Sequence, residues 1–215
     1  MSSEPGLRAR KKQQTRQLIA DSARRLFAER GFEEVSVSEV ARAADVSDAT
    51  VFNYFPTKED LFYSGLERFE DQLLAVVRDR PRGESIVDAV GRFFLQPRGF
   101  LASDDPQAVA RLLEISRMVA ESPALLARER EILSRYTDSL ARLIAEQTSA
   151  AVDDLRPAVA AAALIGVHRA LIEHVRQQIL AGDHDLARLR RSTRSAGKKA
   201  LALLDQGLGN YGLGL

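Results

Sequence analysis

A short stretch around residue 50 carries side chains that can contact the bases of a nucleic-acid duplex. The amide of Asn53 can pair bidentately with adenine, and Ala49 is small enough to approach base edges and meet a thymine methyl group. Phe52 can pack on a thymine methyl or belong to the core, and Asp48 can read cytosine or complement a helix dipole. The candidate base contacts are therefore Asp48, Ala49, Phe52 and Asn53.

Hydroxyl and ammonium groups in the same region suit contacts with phosphates. Thr50 and Tyr54 lie four residues apart, so they share one side of a helix and can donate to one strand. Lys58, near the start of the following helix, can place its charge beside the same backbone. With the hydroxyl of Ser36, the candidate phosphate contacts are Ser36, Thr50, Tyr54 and Lys58.

Positive charge is concentrated at the N-terminal end of the chain. Residues 1–30 contain eight basic and three acidic residues, although the net charge of the whole protein is only +1. A cluster of cations near the beginning of a DNA-binding domain can act as a minor-groove or backbone arm. A disordered, solvated tail explains the same cluster equally well. Its members are Arg8, Arg10, Lys11 and Lys12.

The elements that position these side chains are two short helices separated by a three-residue turn. Ser36 and Glu39 form an S-x-x-E capping box at the start of the first, and Asp45–Ser47 interrupts it. Ser47 can cap the second helix, which extends through Tyr54. This spacing is typical of a helix-turn-helix, whose second helix enters the major groove.

Helical periodicity continues through the rest of the chain, and no alternating strand pattern is present. We expect an all-α fold of about nine helices, with an N-terminal three-helix helix-turn-helix domain followed by a larger helical bundle. The predicted parts are an arm and DNA-binding domain in 1–57, a connecting helix in 58–79 and a larger domain in 80–215. The predicted helices of the larger domain are 84–96, 104–121, 124–149, 154–181 and 184–207.

Residues 15–62 resemble the N-terminal domain of the TetR family of transcriptional regulators. The matching landmarks are the Leu-Phe-x-x-x-Gly-Phe of the first helix, Ser36-Val37, Val40-Ala41, Val46-Ser47, Thr50-Val51, Tyr54-Phe55 and Lys58-Glu59-x-Leu61. The resemblance implies that Thr50, Tyr54 and Lys58 contact phosphates and that residues 48, 49, 52 and 53 supply most base contacts. Ala49 stands where the family often has Gly or Pro, and Asp48 where a neutral or basic residue is common, so the operator sequence stays open.

The same resemblance implies that the region after Asp79 binds a small-molecule effector and forms a homodimer. The last two long helices carry small and leucine-rich faces that suit pairing with a second copy, although an ordinary intramolecular core explains them as well. Candidate residues for an effector pocket, each of which can equally be core, are Phe93, Phe94, Phe100, Met118, Tyr136 and His168.

Several classes of function are not expected from the sequence. It has no Cys, its three His residues lack metal-ligand spacing, and it shows no catalytic motif, so we expect neither an enzyme nor a cofactor or metal. We expect no secretory signal, because no apolar segment follows the basic N-terminus, and the weakly polar stretch 157–167 is too short to cross a membrane, which favours the cytoplasm. The leading hypothesis is a repressor released from a palindromic double-stranded operator by an effector. The alternative is an architectural DNA-binding protein without an effector, which the near-neutral charge disfavours.

Overall fold

The computed structural model describes residues 6–103 and 105–208. These residues form ten α-helices and one 3-10 helix and include no strand, which confirms the predicted all-α class. In chain order the α-helices are α1 Leu7–Arg30, α2 Val37–Ala43, α3 Asp48–Tyr54, α4 Lys58–Phe62, α5 Glu67–Arg78, α6 Ile86–Phe94, α7 Ala108–Glu121, α8 Pro123–Thr148, α9 Arg156–Leu180 and α10 Leu186–Leu208. The 3-10 helix, Gly99–Ala102, lies between α6 and α7.

The connecting helix expected over 58–79 is two helices, which accounts for ten helices instead of nine. The first, α4, ends at Phe62 and is followed by a turn in which Gly65 has a φ of +99°. Side chains with a Cβ rarely adopt this left-handed conformation, so Gly65 marks the break. The second helix, α5, begins at Glu67.

The chain folds into two compact units, and the predicted division into functional domains stays a prediction. The first unit, here called the head, runs to Leu66 and also includes Met118–Leu126 from the corner between α7 and α8. Two side-chain hydrogen bonds attach this corner: Ser122 donates to the Glu33 carboxylate at 2.6 Å, and the Tyr63 hydroxyl donates to the Leu125 carbonyl at 3.1 Å. The larger unit contains the remaining residues from Glu67 onward.

The core of the head is built from α1 to α4. Its aliphatic part includes Ile19 and Val40, both fully buried. An aromatic part joins the end of α1 to α4, with ring centroids 5.3 Å apart for Phe27 and Phe32 and 5.7 Å apart for Phe32 and Phe62. Removing this apolar surface from water fixes the short helices α2 to α4 on the longer α1.

The larger unit contains a close pairing of α9 with α10. Val167 and Leu171 of α9 pack with Leu201 of α10. At Gly197 of α10, an added Cβ would lie only 2.7 Å from a methyl carbon of Leu95. The absence of a side chain at Gly197 therefore permits α10 to lie close to Leu95, the residue that follows α6.

Helix α9 also has the length and composition of a membrane-crossing helix, with a mean hydropathy of 1.4 over its most apolar window. The weakly polar stretch predicted from the sequence was shorter, about eleven residues. In the structure α9 buries Leu164, Ile165 and Ile179, together with Arg176, which forms an ion pair with Glu129 of α8. A core helix of a soluble protein can have the same length and composition, so a single helix of this kind is weak evidence for a membrane span.

Candidate nucleic-acid interface

Local hydrogen bonds define the beginnings of α2 and α3. The Ser36 hydroxyl accepts from the Glu39 amide at 3.2 Å, while the Glu39 carboxylate accepts from the Ser36 amide at 2.9 Å. The Ser47 hydroxyl accepts from the Thr50 amide at 3.1 Å and so caps α3. Both caps predicted from the sequence are present, and they satisfy amides that have no partner inside the helix.

The seven residues of α3 separate into a buried and an outward side. Val51 and the following Phe55 are buried in the head, as their four-residue spacing predicts. Asp48, Ala49 and Asn53 are exposed, and the side chain of Phe52 is 48% exposed and so does not belong to the core. The outward side of α3 is therefore available to a groove.

Two of the candidate DNA contacts carry uncommitted polar groups. Within the part of the chain that the structure describes, no hydrogen bond engages the side-chain amide of Asn53 or the hydroxyl of Tyr54. Asn53 is exposed and Tyr54 is partly buried. Both groups can bind a duplex without first breaking a contact within the protein.

Other candidates already have partners within the head. The Ser38 hydroxyl donates to the Asp48 carboxylate, and the hydroxyls of Thr50 and Ser47 lie 2.8 Å apart. Lys58 donates to the Glu33 carbonyl at 3.2 Å, and its Nζ lies 4.3 Å from the centre of the Phe32 ring. The remaining candidate, the Ser36 hydroxyl, donates to Glu39 at 2.8 Å. Contact with DNA would require these groups to share or exchange their partners.

Hydrogen bonds at the start of α2 strongly favour the ionised form of Glu39. The Ser36 amide is the largest cause, followed by the Arg30 side chain, whose guanidinium lies 2.7 Å from the carboxylate. Together they lower the pKa of Glu39 to about 2, although this side chain is solvent-accessible. Arg30 thus ties the end of α1 to the start of α2.

The four N-terminal cations belong to the first turns of α1. The helix begins at Leu7, and Arg8, Arg10, Lys11 and Lys12 are exposed on it. The structure therefore shows a helical extension here instead of an extended arm or an irregular tail. Arg, Lys and Gln are good helix formers, which explains why α1 continues through this polar stretch. Contact of these cations with DNA stays a prediction.

Sequence reasoning missed two side chains that support α3. Ser38 of α2 holds Asp48 at the first turn of α3. Arg16 of α1 donates to the carbonyl of Tyr54, the last residue of α3, at 2.8 Å. In the sequence Arg16 is only one of the eight N-terminal basic residues, because a hydrogen bond between residues 38 positions apart leaves no local pattern.

In the larger unit, four of the six pocket candidates join one aromatic cluster. Phe69, which the sequence analysis did not single out, lies at its centre. The centroid of its ring is 5.2 Å from Phe93, 6.4 Å from Phe94, 5.5 Å from Tyr136 and 4.6 Å from His168. The rings of Phe69, Phe94 and His168 are nearly parallel.

The other two candidates lie outside this cluster. Met118 belongs to the segment that groups with the head. Phe100 lies in the 3-10 helix and is partly buried. The assignment of all six residues to an effector pocket stays a prediction.

His168 is held in its neutral form. Burial among the aromatic rings and, to a smaller extent, the positive charge of Arg98 together lower its pKa to about 4. Arg98 itself lies over the Phe93 ring, with its guanidinium carbon 3.7 Å from the ring centre. Burial also lowers the pKa of Arg98. A neutral imidazole among apolar rings can donate a hydrogen bond to a bound molecule through one ring nitrogen or accept one through the other.

The described residues, 6–103 and 105–208, include no group of three His, Asp or Glu side chains placed to hold a metal ion.

Two family models match the chain over separate regions. The model of bacterial regulatory proteins of the tetR family matches residues 19–64, which include α2 and α3. The model of the MftR C-terminal domain matches residues 84–197, more than half of the chain.

Individual relatives match along most of the chain. The HTH-type transcriptional regulator TcmR of Streptomyces glaucescens is 30% identical over 195 residues, which cover 89% of this chain and 85% of that protein. The HTH-type transcriptional repressor Rv1474c of Mycobacterium tuberculosis (strain ATCC 25618 / H37Rv) is 31% identical over 145 residues, or 65% and 69% of the two chains.

A solved structure supports the same fold. Salmonella enterica GusR superimposes with a TM-score of 0.53 and 21% identity, covering 91% of this chain and 95% of that one.

Proposed function

The chain belongs to the tetR family of bacterial regulatory proteins, a family of DNA-binding transcriptional regulators, and from this premise we propose that it is a homodimeric repressor that a small-molecule effector releases from a palindromic operator. The observation that carries the proposal is the outward side of α3, where Ala49, Phe52 and Asn53 are exposed. Each is of a type that can contact base edges. Thr50, Tyr54 and Lys58 would fix the helix on the phosphates, as the family resemblance implies.

In a homodimer, the α3 helices of the two protomers would bind the same operator. In a two-fold dimer, each α3 would enter one of two successive major grooves, about 34–36 Å apart. A palindromic operator repeats its half-sites with the same symmetry. Exposed apolar residues at the start of α9, namely Leu155 (74%) and Val159 (58%), support an interface through the last two long helices.

The effector would bind in the larger unit near the aromatic cluster around Phe69. Stacked rings and a neutral His168 suit an organic molecule with apolar surface and at least one polar atom. To act, it must bind more tightly to a state with lower operator affinity than to the operator-bound state. The sign of regulation is proposed from the relative described as a repressor. The proposal requires neither catalysis nor a cofactor, and it places the protein in the cytoplasm with the chromosome.

An architectural DNA-binding protein without an effector is the alternative. Such proteins rely on broad phosphate neutralisation, whereas this chain has a net charge of only +1. The two candidates differ in how strongly binding depends on sequence.

Selection of DNA from a pool of random duplexes by the full-length protein tests the proposal. We expect enrichment of an inverted repeat, bound by two protomers and far more tightly than the same bases in shuffled order. Enrichment of no sequence, with equal affinity for selected and shuffled duplexes, would support the architectural alternative. A screen of small molecules for release of the selected duplex then tests the effector, and its hits should lose effect when Phe69 is replaced by Ala.

A further inference from the structure

A side chain from α1 holds the C-terminal end of the recognition helix α3. The backbone turns to an extended conformation at Phe55, whose amide bonds to the Val51 carbonyl at 2.8 Å. The next residue, Pro56, cannot continue the helix, so the Tyr54 carbonyl lies beyond the last amides of α3 that could bond to it. The guanidinium of Arg16 supplies a donor there, since its Nη1 lies 2.8 Å from the Tyr54 carbonyl oxygen.

A second contact fixes the position of the Arg16 guanidinium. Its central carbon lies 4.2 Å from the centre of the Phe55 ring, and Phe55 is buried in the head. A planar cation stacked on an aromatic ring can still donate from its edge, which Lys cannot reproduce. The positive charge also lies at the end of α3 where the helix dipole is negative.

The recognition helix depends on such contacts because it is only seven residues long. Its beginning is held by the Ser47 cap and by the bond between Ser38 and Asp48. Its end carries Asn53 and Tyr54, the two candidates whose polar groups are uncommitted. We propose that Arg16 is a positioning residue for DNA recognition, which fixes the end of α3 so that the Asn53 side chain meets the base edges in the groove. The inference rests on the proposed function.

The test compares R16Q with R25Q, both in the full-length protein. Arg25 is an exposed cation on the same helix that has no ion pair or hydrogen bond among the residues the structure describes, so R25Q removes equal charge. The probes are the duplex selected by the wild-type protein and its shuffled counterpart. We expect R16Q to weaken binding to the selected duplex about tenfold, in line with the loss of one charge-assisted hydrogen bond. Binding to the shuffled duplex should change no more than in R25Q.

Hydrogen exchange provides a readout that does not depend on DNA. In R16Q the amide of Phe55, at the end of α3, should exchange faster, while the amides of α1 keep their protection. R16K retains the charge without the planar donor, and it should recover only part of the lost selectivity. If R16Q unfolds the head, the same selectivity and exchange measurements are made on R16K. An R16K variant that binds and exchanges like the wild-type protein overturns the proposal.

Two other results also overturn the proposal. The first is an equal loss on both duplexes with a salt slope reduced by about 0.9, because that pattern identifies a direct phosphate contact. The second is R16Q behaving like R25Q in binding and in exchange. Failure of the wild-type protein to select any duplex would contradict the proposed function instead, while the exchange experiment would still report on Arg16.

Discussion

Asn53 and Tyr54 are neighbours at the end of α3, yet their side chains offer different chemistry to DNA. We expect N53A to relax the preference for one base pair, because an amide that pairs with adenine contributes about 1–3 kcal/mol of discrimination. We expect Y54F to weaken binding to every duplex, because its hydroxyl would meet a phosphate, which is the same at every base pair. Affinities for the selected duplex and its single-base variants measure both effects. Equal losses on all duplexes for the two variants would contradict this assignment.

Lys58, a candidate phosphate contact, already has partners within the protein. Its ammonium contacts the Phe32 ring and the Glu33 carbonyl, both within the head. If Lys58 turns to a phosphate on DNA, K58M should lower affinity equally for selected and shuffled duplexes. The slope of log K against log salt should then fall by about 0.9, the value for one phosphate contact.

The matched control for Lys58 is K198M, which removes an exposed cation from α10 of the larger unit. We expect K198M to leave the salt slope unchanged. An unchanged slope in K58M itself would mean that Lys58 keeps its contacts with Phe32 and Glu33 on DNA and has a structural role.

At the scale of elements, the capping box of α2 links the stability of the head to pH. The pKa of Glu39 is lowered from its ordinary value near 4.5 to about 2 by the Ser36 amide and by Arg30. A lowered pKa in the folded state gives stability that is complete above about pH 4.5 and is lost as the pH falls towards 2. The melting temperature of E39Q should therefore be below that of the wild-type protein at neutral pH, and the difference should shrink on acidification.

E34Q provides the control for this pH dependence. Glu34 is exposed, and its carboxylate forms no hydrogen bond or ion pair among the described residues. Its replacement should leave the melting curve almost unchanged at each pH. A difference between E39Q and the wild-type protein that persists undiminished at pH 2 would show that the carboxylate charge is not the cause.

The sequence predicted those features of the interface that depend on residues close together in the chain. The caps at Ser36 and Ser47 use amides three residues away, and the buried side of α3 follows from the spacing of Val51 and Phe55. These are local relations, so a single sequence is enough to predict them.

The parts that could not be predicted depend on packing between distant segments. The bond from Arg16 to Tyr54 spans 38 residues, and the bond from Tyr63 to Leu125 spans 62. Phe69 was overlooked as the centre of the aromatic cluster because its helix was expected to be only a connection. Which side of such a helix is covered depends on where its neighbours lie, and the periodicity of one segment does not contain that information.

At the scale of the whole molecule, the exposed sides of α9 and α10 differ in a way that bears on dimerisation. The exposed residues of α10 include five cations, Arg188, Arg191, Arg194, Lys198 and Lys199. In a two-fold interface, the residues near the axis meet their own copies, so this basic surface would repel itself. The first half of α9 instead exposes Val159 and Ala162, which follow the exposed Leu155.

We therefore expect α9 to form the centre of the dimer interface, with α10 at its edge. V159E would place two carboxylates against each other across the axis, in an interface that removes them from water. The variant should sediment as a monomer at concentrations at which the wild-type protein is a dimer, and it should bind a single half-site and the full inverted repeat with similar affinity. S134E adds the same charge at an exposed position of α8 and should remain dimeric. Because Val159 is 58% exposed, the helical circular dichroism signal of V159E should match that of the wild-type protein. If V159E remains dimeric, α9 does not form the centre of the interface. The charged side of α10 would then be the surface to test next.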